Sequence, residues 1–211
     1  MKVQKERKSK ILIFDFDGTI VDSKAAYYHS MNKHLTGLGF SKKQIDEAID
    51  VGLSVAETLR KLGFSGIFRF WLKWKIMRDV LRKVNEIKKC RDVDSIRSIR
   101  ARKILVSNSL SEFIFPVLKH LKLKKEFNEI YGAEDFSDKE EFIKKYLKRN
   151  KINPQDCFYI GDRAADVLLA RKIGCKSVII SGKCSWDSRK EILQEKTDFV
   201  LDDIKDIKDI L

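Results

Sequence analysis

The second half of the chain alternates between short apolar runs and helix-periodic segments, and this alternation limits the possible folds more than any other feature. From residue 103 onward the predicted order is strand Ile104–Ser107, a helix to about Leu121, strand Glu129–Tyr131, helix Lys139–Arg149, strand Cys157–Ile160, a helix to Ile173, strand Ser177–Ile180, helix Ser188–Gln194 and strand Asp198–Leu201. Such alternation is typical of βαβ units, whose strands are parallel. We therefore predict an α/β fold, a Rossmann-like parallel sheet core with helices on both faces.

One further strand is predicted far from the others, at Ile11–Asp15. It is an unbroken apolar run too short for a helix, which is typical of a buried strand. No other strand is predicted before residue 103, so we expect this run to join the same sheet. Residues 22–102 would then be an inserted all-helical cap domain, and residues 1–21 and 103–211 would form the core domain.

Within the predicted insertion, serines precede several helix-periodic segments. Candidate N-caps are Ser23, Ser41 followed by Gln44, and Ser54 followed by Glu57. A long helix is predicted over Ser65–Cys90. Its apolar stripe comprises Ile67, Phe70, Trp71, Trp74, Met77, Leu81 and Val84, and a second row beside it comprises Phe68, Leu72, Ile76 and Val80. We expect this face to be cap core, with a dimer contact or an apolar substrate wall as alternatives, so the chain is a monomer or a homodimer.

Composition places the chain among globular proteins and points to anionic ligands. Hydrophobic residues make up 43% of the chain and the net charge is +13. Residues 61–103 contain fourteen Lys and Arg but only four Asp and Glu. This excess of positive charge forms either a solvated surface or a surface that attracts the substrate. The apolar run after Lys10 ends too early for a signal peptide or a membrane span. The four cysteines form no C-x-x-C pair, so we expect reduced thiols in a cytoplasmic protein without membrane contact.

Two carboxylates, Asp15 and Asp17, stand one residue apart where the first apolar run ends. Alternate residues of an extended chain point to the same side, so the two carboxylates project together while Phe14 and Phe16 face the other way. Gly18 then lets the chain turn. Adjacent carboxylates repel unless a cation or a shared proton relieves them. The pattern indicates either a hard-metal site or a pair formed by an acid and a nucleophile.

More polar residues follow the later strands. Ligands gather at the carboxyl ends of the strands in an open parallel sheet, and the residues expected to meet the aspartate pair there are Ser107, Asn108, Lys139, Asp162 and Asp166. Phosphoryl transfer needs a nucleophile, a proton donor, a hard cation, and cations or N–H groups around the phosphoryl oxygens. Each residue alone has an ordinary structural explanation, such as a helix cap for Asp162. Their joint placement indicates a phosphoryl-transfer site.

These segments resemble the haloacid dehalogenase-like hydrolase superfamily, and within it the phosphoglycolate phosphatase-like branch, which has a helical cap inserted after the first strand. The matching segments, in the family's order, are residues 15–23, Val106–Asn108, Lys139 and Gly161–Asp166. Residues 52–62 look like the family's cap loop and helix. The similarity covers nearly the whole chain and implies the fold and domain organisation predicted above.

The resemblance implies a Mg²⁺-dependent phosphatase that hydrolyses a small-molecule phosphate monoester through an aspartyl-phosphate intermediate. Asp15 would be the nucleophile, and Asp17 would act as general acid and then as base. The implied Mg²⁺ ligands are Asp15, Asp17 through its main-chain carbonyl, Asp162 and Asp166. The implied phosphate-binding residues are Ser107, Asn108, Lys139, Gly18 and Thr19, with Thr19 also expected to help position Asp17. Substrate specificity would depend on Gly52, Leu53 and Ser54 of the cap.

Two other functions remain open at this stage. A phosphomutase of the β-phosphoglucomutase kind also keeps the second aspartate, but its pattern has a cap His where this chain has Tyr27 and an Arg where it has Val55. A basic nucleic-acid-binding protein with a vestigial or end-processing phosphatase site is the other alternative. Lys139 lacks the proline that commonly follows it in phosphoglycolate phosphatase-like members, so Lys144 and Lys145 are kept as substitutes.

Overall fold

A computed structural model describes residues 10–49 and 55–211. The order of its helices and strands is β1 (Ile11–Phe14), β2 (Val21–Asp22), α1 (Lys24–Thr36), α2 (Lys42–Ala48), α3 (Val55–Lys61), α4 (Gly66–Leu81), β3 (Lys88–Lys89), β4 (Arg102–Val106), α5 (Ser111–His120), β5 (Glu129–Tyr131), α6 (Lys139–Arg149), β6 (Cys157–Gly161), α7 (Ala164–Ile173), β7 (Lys176–Ile180), α8 (Arg189–Gln194) and β8 (Phe199–Leu201). Short 3-10 helices occupy several of the connections.

Six of these strands form one parallel sheet in the order β5-β4-β1-β6-β7-β8. The first strand joins the same sheet, as the sequence predicted, and lies in its middle, between β4 and β6. Alternate residues of β1 face opposite sides, since Leu12 and Phe14 belong to one apolar cluster and Ile11 and Ile13 to another. Both faces of the sheet are buried, which is the usual state of a parallel sheet between helices, and the predicted α/β fold is confirmed.

The helical segment between β1 and β4 begins and ends at a small second sheet of two strands. Here β2 pairs with β3 in antiparallel register, with Val21 opposite Lys89 and Asp22 opposite Lys88. The Cys90 N–H also donates to the Ile20 carbonyl over 3.1 Å. The two ends of the segment are thus held side by side. Helices α1 to α4 pack into a separate apolar cluster formed by Met31, Leu35, Ile45, Leu59, Leu72 and Ile76.

Helix α4 differs from the sequence-based prediction in its length. It ends at Leu81 instead of Cys90, because the residues that follow form a 3-10 turn and then strand β3. Pairing with Val21 outweighs the helical periodicity of the segment, since backbone hydrogen bonds to another part of the chain replace those of a continued helix.

The buried face of α4 also differs from the prediction. The exposed residues of the predicted main stripe are Ile67, Phe70, Trp71 and Trp74, whereas the buried residues of this helix are Met77 of that stripe and Leu72, Ile76 and Val80 of the second row. Helix α1 packs against that second row, and the Ser30 hydroxyl donates to the Ile76 carbonyl over 2.8 Å. Periodicity identifies apolar rows, but the neighbouring helix determines which row is covered.

The serine caps have three different outcomes. Ser41 and Gln44 form the predicted capping box at the start of α2. Ser23 precedes α1 but makes no cap hydrogen bond, because its hydroxyl donates to Asp17 instead. Ser54 lies outside the described residues. No helix among the described residues is long and apolar enough to cross a membrane.

Candidate active site

The carboxyl ends of β1, β4 and β6 meet beside a cavity of about 230 Å³. Asp15, Asp17, Ser107 and Asn108 line this cavity from the side of the sheet, and α1, α3 and α4 line it from the other side. The parallel register of β1 with both neighbours brings these strand ends together. This is the edge of the sheet at which the sequence predicts a site.

Lys139 and Asp15 form an ion pair at this edge. The Lys139 Nζ lies 2.7 Å from Asp15 Oδ1, and both side chains are largely buried. Lys139 is the first residue of α6, so the start of that helix sets its position. Lys144 and Lys145 pair instead with Glu140 and Glu141, one turn back on the same helix. Of these three lysines, Lys139 is therefore the one that contacts the aspartate pair.

Asp15 also belongs to a group of three acids with Asp162 and Asp166. Each offers one carboxylate oxygen, and these three oxygens lie within 4.8 Å of one another. Asp162 and Asp166 are buried, and burial together with the neighbouring carboxylates raises the pKa of both, that of Asp166 to about 6. Three hard oxygen ligands that repel one another fit a divalent cation such as Mg²⁺. Among the described residues no other acidic, His or Cys group has this geometry.

Neighbouring backbone groups hold these acids in place. Asp166 accepts hydrogen bonds from the N–H groups of Asp162 and Arg163, each over 3.1 Å. Asp162 accepts from the Trp186 N–H over 2.6 Å and from the Thr19 hydroxyl over 3.2 Å. Because these donors occupy part of each carboxylate, they fix its orientation and leave other lone pairs for a cation.

Close glycines make room for the same carboxylates. A Cβ at Gly18 would lie 2.3 Å from Asp162 Oδ2, and a Cβ at Gly161 would lie 2.3 Å from Asp166 Oδ2. Gly18 also has a φ of +77°, which disfavours other residues. Gly18 and Thr19 thus lie against Asp162. Neither residue lines the cavity. The prediction that Thr19 positions Asp17 is wrong, because the Thr19 hydroxyl is directed at Asp162.

Asp17 has different partners from the three-acid group. Its Oδ2 accepts a hydrogen bond from the Ser109 hydroxyl over 2.6 Å, and its Oδ1 accepts one from the Ser23 hydroxyl. The hydroxyls of Tyr27 and Ser109 lie 3.0 Å apart and extend this chain of contacts. Burial raises the pKa of Asp17 to about 6, although both serines lower it. A carboxyl with a raised pKa is suited to donating a proton near neutral pH.

Sequence reasoning missed three of these contributors. Ser109 could have been noticed, because it stands two residues after Ser107 beside the predicted strand end. The sequence predicts a helix cap at Ser23, which its position allows, but its side chain makes no cap hydrogen bond. Trp186 reaches the site from a loop between β7 and α8 that carries no motif. The predicted specificity residues Gly52, Leu53 and Ser54 lie outside the described residues.

Comparison with known proteins identifies the family. Residues 12–180 match the family model described as haloacid dehalogenase-like hydrolase. The chain belongs to the haloacid dehalogenase-like hydrolase family. This confirms the identification made from the motifs, and the match includes all the acidic residues described above.

Relatives of the chain include several phosphoglycolate phosphatases. The one from Synechococcus elongatus is 23% identical over 207 residues, which cover 93% of this chain and 94% of the relative. The one from Aquifex aeolicus is 24% identical over 181 residues, which cover 81% of this chain and 84% of the relative. These relatives support the predicted phosphoglycolate phosphatase-like branch.

Solved structures support the same fold. A haloacid dehalogenase-like family protein from Streptococcus pneumoniae aligns with a TM-score of 0.81 at 18% identity, covering 96% of this chain and 98% of that one. A predicted phosphoglycolate phosphatase from Haemophilus somnus aligns with a TM-score of 0.80 at 19% identity, covering 96% and 97%. The sheet and the inserted helices of this member of the family therefore recur together in other chains.

Proposed function

We propose that this chain is a Mg²⁺-dependent phosphatase that hydrolyses small-molecule phosphate monoesters through an aspartyl-phosphate intermediate on Asp15. The observation that carries the proposal is that the two aspartates have different surroundings. Asp15 belongs to the three-acid group and contacts Lys139, whereas Asp17 contacts two serines. A nucleophile needs nearby positive charge, and a proton carrier needs a raised pKa, so the two surroundings suit two roles.

In the first step a carboxylate oxygen of Asp15 attacks phosphorus, and the bond between phosphorus and the ester oxygen breaks. The protonated Asp17 carboxyl gives its proton to the departing oxygen, so the alcohol leaves uncharged. Lys139, Ser107 and Asn108 are suited to hold the phosphoryl oxygens, because they surround the end of β1. Asp15, Asp162 and Asp166, with the main-chain carbonyl of Asp17, would hold Mg²⁺, whose charge offsets that of the phosphoryl group when it is bound.

In the second step the Asp17 carboxylate takes a proton from water, and the water oxygen attacks phosphorus. The bond between phosphorus and Asp15 breaks, and phosphate and the free carboxylate are released. We propose that residues 22–102 act as the cap domain of this enzyme and exclude bulk water from both steps. The lining of the cavity by helices of this segment supports that assignment.

Release of phosphate from p-nitrophenyl phosphate tests the proposed activity. We expect turnover with MgCl₂, loss of turnover in excess EDTA, and loss of at least about a thousandfold in kcat for Asp15→Asn, since a carboxamide cannot form the acyl phosphate. Asp209→Asn, which changes an exposed carboxylate near the C-terminus, is the matched control and should keep full activity. Undiminished turnover in EDTA or in Asp15→Asn would contradict the proposal.

A further inference from the structure

The outer side of helix α4 exposes a stripe of large apolar side chains. Ile67 and Phe70 are 88% and 73% exposed, and Trp71 and Trp74 are 41% and 49% exposed. These four residues recur at helical spacing, so they form one continuous surface, which we call the α4 stripe. A continuous apolar surface of this kind marks a place where something apolar binds.

The wall of the cavity on the same side contains a group of apolar and aromatic side chains. Tyr28, Met31, Ile49 and Met77 line the cavity there, beside the polar side chains of Lys24, Glu57, Thr58 and Lys73. In a phosphatase of this geometry the phosphoryl group lies against Asp15, so this wall faces the alcohol portion of the substrate. The aromatic and thioether side chains of this wall form an apolar surface. That surface favours an alcohol with an apolar portion.

Helix α4 joins this wall to the exposed stripe. Met77 lines the cavity, and Phe70 and Trp74 of the stripe lie seven and three residues before it on the helix. Residues three, four and seven apart lie on one side of a helix, so Phe70 and Trp74 lie on the same side of α4 as Met77. An apolar group that fills the cavity can therefore extend along the stripe.

The basic residues of α4 fit an amphipathic substrate. Lys73 lines the cavity, while Lys75 and Arg78 lie over the rings of Trp71 and Trp74 at 4.1 and 4.5 Å from the ring centroids. Their charges attract an anionic substrate, and cation–π contacts hold two of them against the rings of the stripe. A second copy of the chain fits this surface less well, because a symmetric contact would bring the cations of two stripes together.

We propose that the substrate is an amphipathic phosphate monoester, the ester of a long-chain apolar alcohol, whose chain leaves the cavity along the α4 stripe. This proposal rests on the proposed phosphatase function and names the class of its leaving group. The phosphoryl end lies at the carboxylates, the first part of the chain contacts the cavity wall, and the remainder covers Phe70 and Trp74.

A series of n-alkyl phosphates, from ethyl through butyl and octyl to dodecyl, tests the proposal. Each ester is used below its critical micelle concentration. All are unactivated primary esters, so differences in kcat/KM report binding of the chain and not leaving-group reactivity. We expect kcat/KM to rise by roughly two- to fourfold for each added methylene that is buried. Phosphoglycolate and glycerol 3-phosphate, also primary esters, should be poorer than octyl phosphate by at least tenfold.

Substitutions of exposed residues test whether the rise in kcat/KM with chain length depends on the α4 stripe. Because these side chains are exposed, the substitutions leave the apolar core unchanged. Phe70→Ser and Trp74→Ser should remove most of the gain from octyl to dodecyl phosphate and leave kcat/KM for ethyl phosphate unchanged. Leu193→Ser removes a comparably exposed apolar side chain from α8 and should leave the whole series unchanged.

Each contrary outcome has a separate meaning. Activity on p-nitrophenyl phosphate with a flat alkyl series, or with a preference for phosphoglycolate, overturns the proposed substrate class and leaves the phosphatase function standing. No activity on any ester contradicts the phosphatase function itself. A third outcome is that kcat/KM does not change with chain length, that the wild type is a dimer, and that Phe70→Ser is a monomer. In that case the stripe contacts a second copy of the chain, and the proposal is overturned.

Discussion

The hydroxyl of Ser109 donates a hydrogen bond to the carboxylate of Asp17 over 2.6 Å, between positions 92 residues apart in the chain. The contact joins the end of β4 to the end of β1, and Ser23 holds the other oxygen of the same carboxylate. An acid that must reach the leaving oxygen needs a fixed orientation, and these two hydroxyls provide it. Ser109 is thus a positioning residue for the proposed proton transfer.

Removing this hydroxyl should affect poor leaving groups most. We expect Ser109→Ala to slow the first step by roughly tenfold to a hundredfold for an alkyl phosphate and by less than about threefold for p-nitrophenyl phosphate, because p-nitrophenolate leaves without a proton. Single-turnover release of the alcohol and of p-nitrophenol measures this step apart from the second step, which is the same for both esters. Ser111→Ala, a serine at the start of α5, is the control. Equal losses with both esters would indicate a structural role only.

A methyl group at Gly161 should weaken the three-acid group. Its Cβ would lie 2.3 Å from the Asp166 carboxylate, so that side chain must move. We expect Gly161→Ala to raise the Mg²⁺ concentration for half-maximal activity by about tenfold or more, as displaced metal-site partners commonly do. Titration of activity with MgCl₂ measures this value. Gly37→Ala, whose Cβ meets nothing closer than 3.5 Å, should match the wild type, and an unchanged Mg²⁺ requirement in Gly161→Ala would oppose the assignment of Asp166.

Asp79 connects helices α1 and α4 and should contribute stability that depends on pH. It accepts hydrogen bonds from Lys33 over 2.7 Å and from Arg82 over 3.1 Å, and it contacts His34. The hydrogen bond from Lys33 is the largest cause that lowers the pKa of Asp79 from 3.8 to about 2. Because the folded-state pKa lies below the unfolded one, the contribution is complete above about pH 4 and is lost as the pH falls toward 2.

We expect Asp79→Asn to lower the free energy of unfolding by about 1 kcal/mol at pH 7, a modest figure because Lys33 and Arg82 are solvent-exposed. The difference between variant and wild type should shrink between pH 4 and pH 3. Urea unfolding of both proteins at pH 7, 5 and 3 measures it. A difference that stays constant over this range would exclude the linkage.

Much of the fold could be predicted because its signals are local. Strand β5 and helix α6 begin and end at the predicted residues, since apolar runs, polar turns and helix caps mark them directly. The meeting of Asp15 with Lys139, Asp162 and Asp166 also follows from local signals, because parallel strands bring their carboxyl ends to one edge.

The remaining features depend on contacts between distant segments. Strand β3 forms only because Lys88 and Lys89 meet β2, and no pattern near these lysines indicates that pairing. The exposure of Phe70 is decided by α1, which covers the opposite row of α4. The hydroxyls of Ser23 and Ser109 could form local bonds, and only the folded chain directs both to Asp17.

Trapping of the acyl phosphate tests the central claim most directly. Borohydride reduces an acyl phosphate to an alcohol, so quenching the enzyme with borohydride during turnover of p-nitrophenyl phosphate with Mg²⁺ should convert Asp15 to homoserine. Peptide mass spectrometry should find the converted residue at position 15 only, with more of it in Asp17→Asn, which lacks the base for the second step. Homoserine at another aspartate, or none at position 15 while phosphate is being released, would contradict the account.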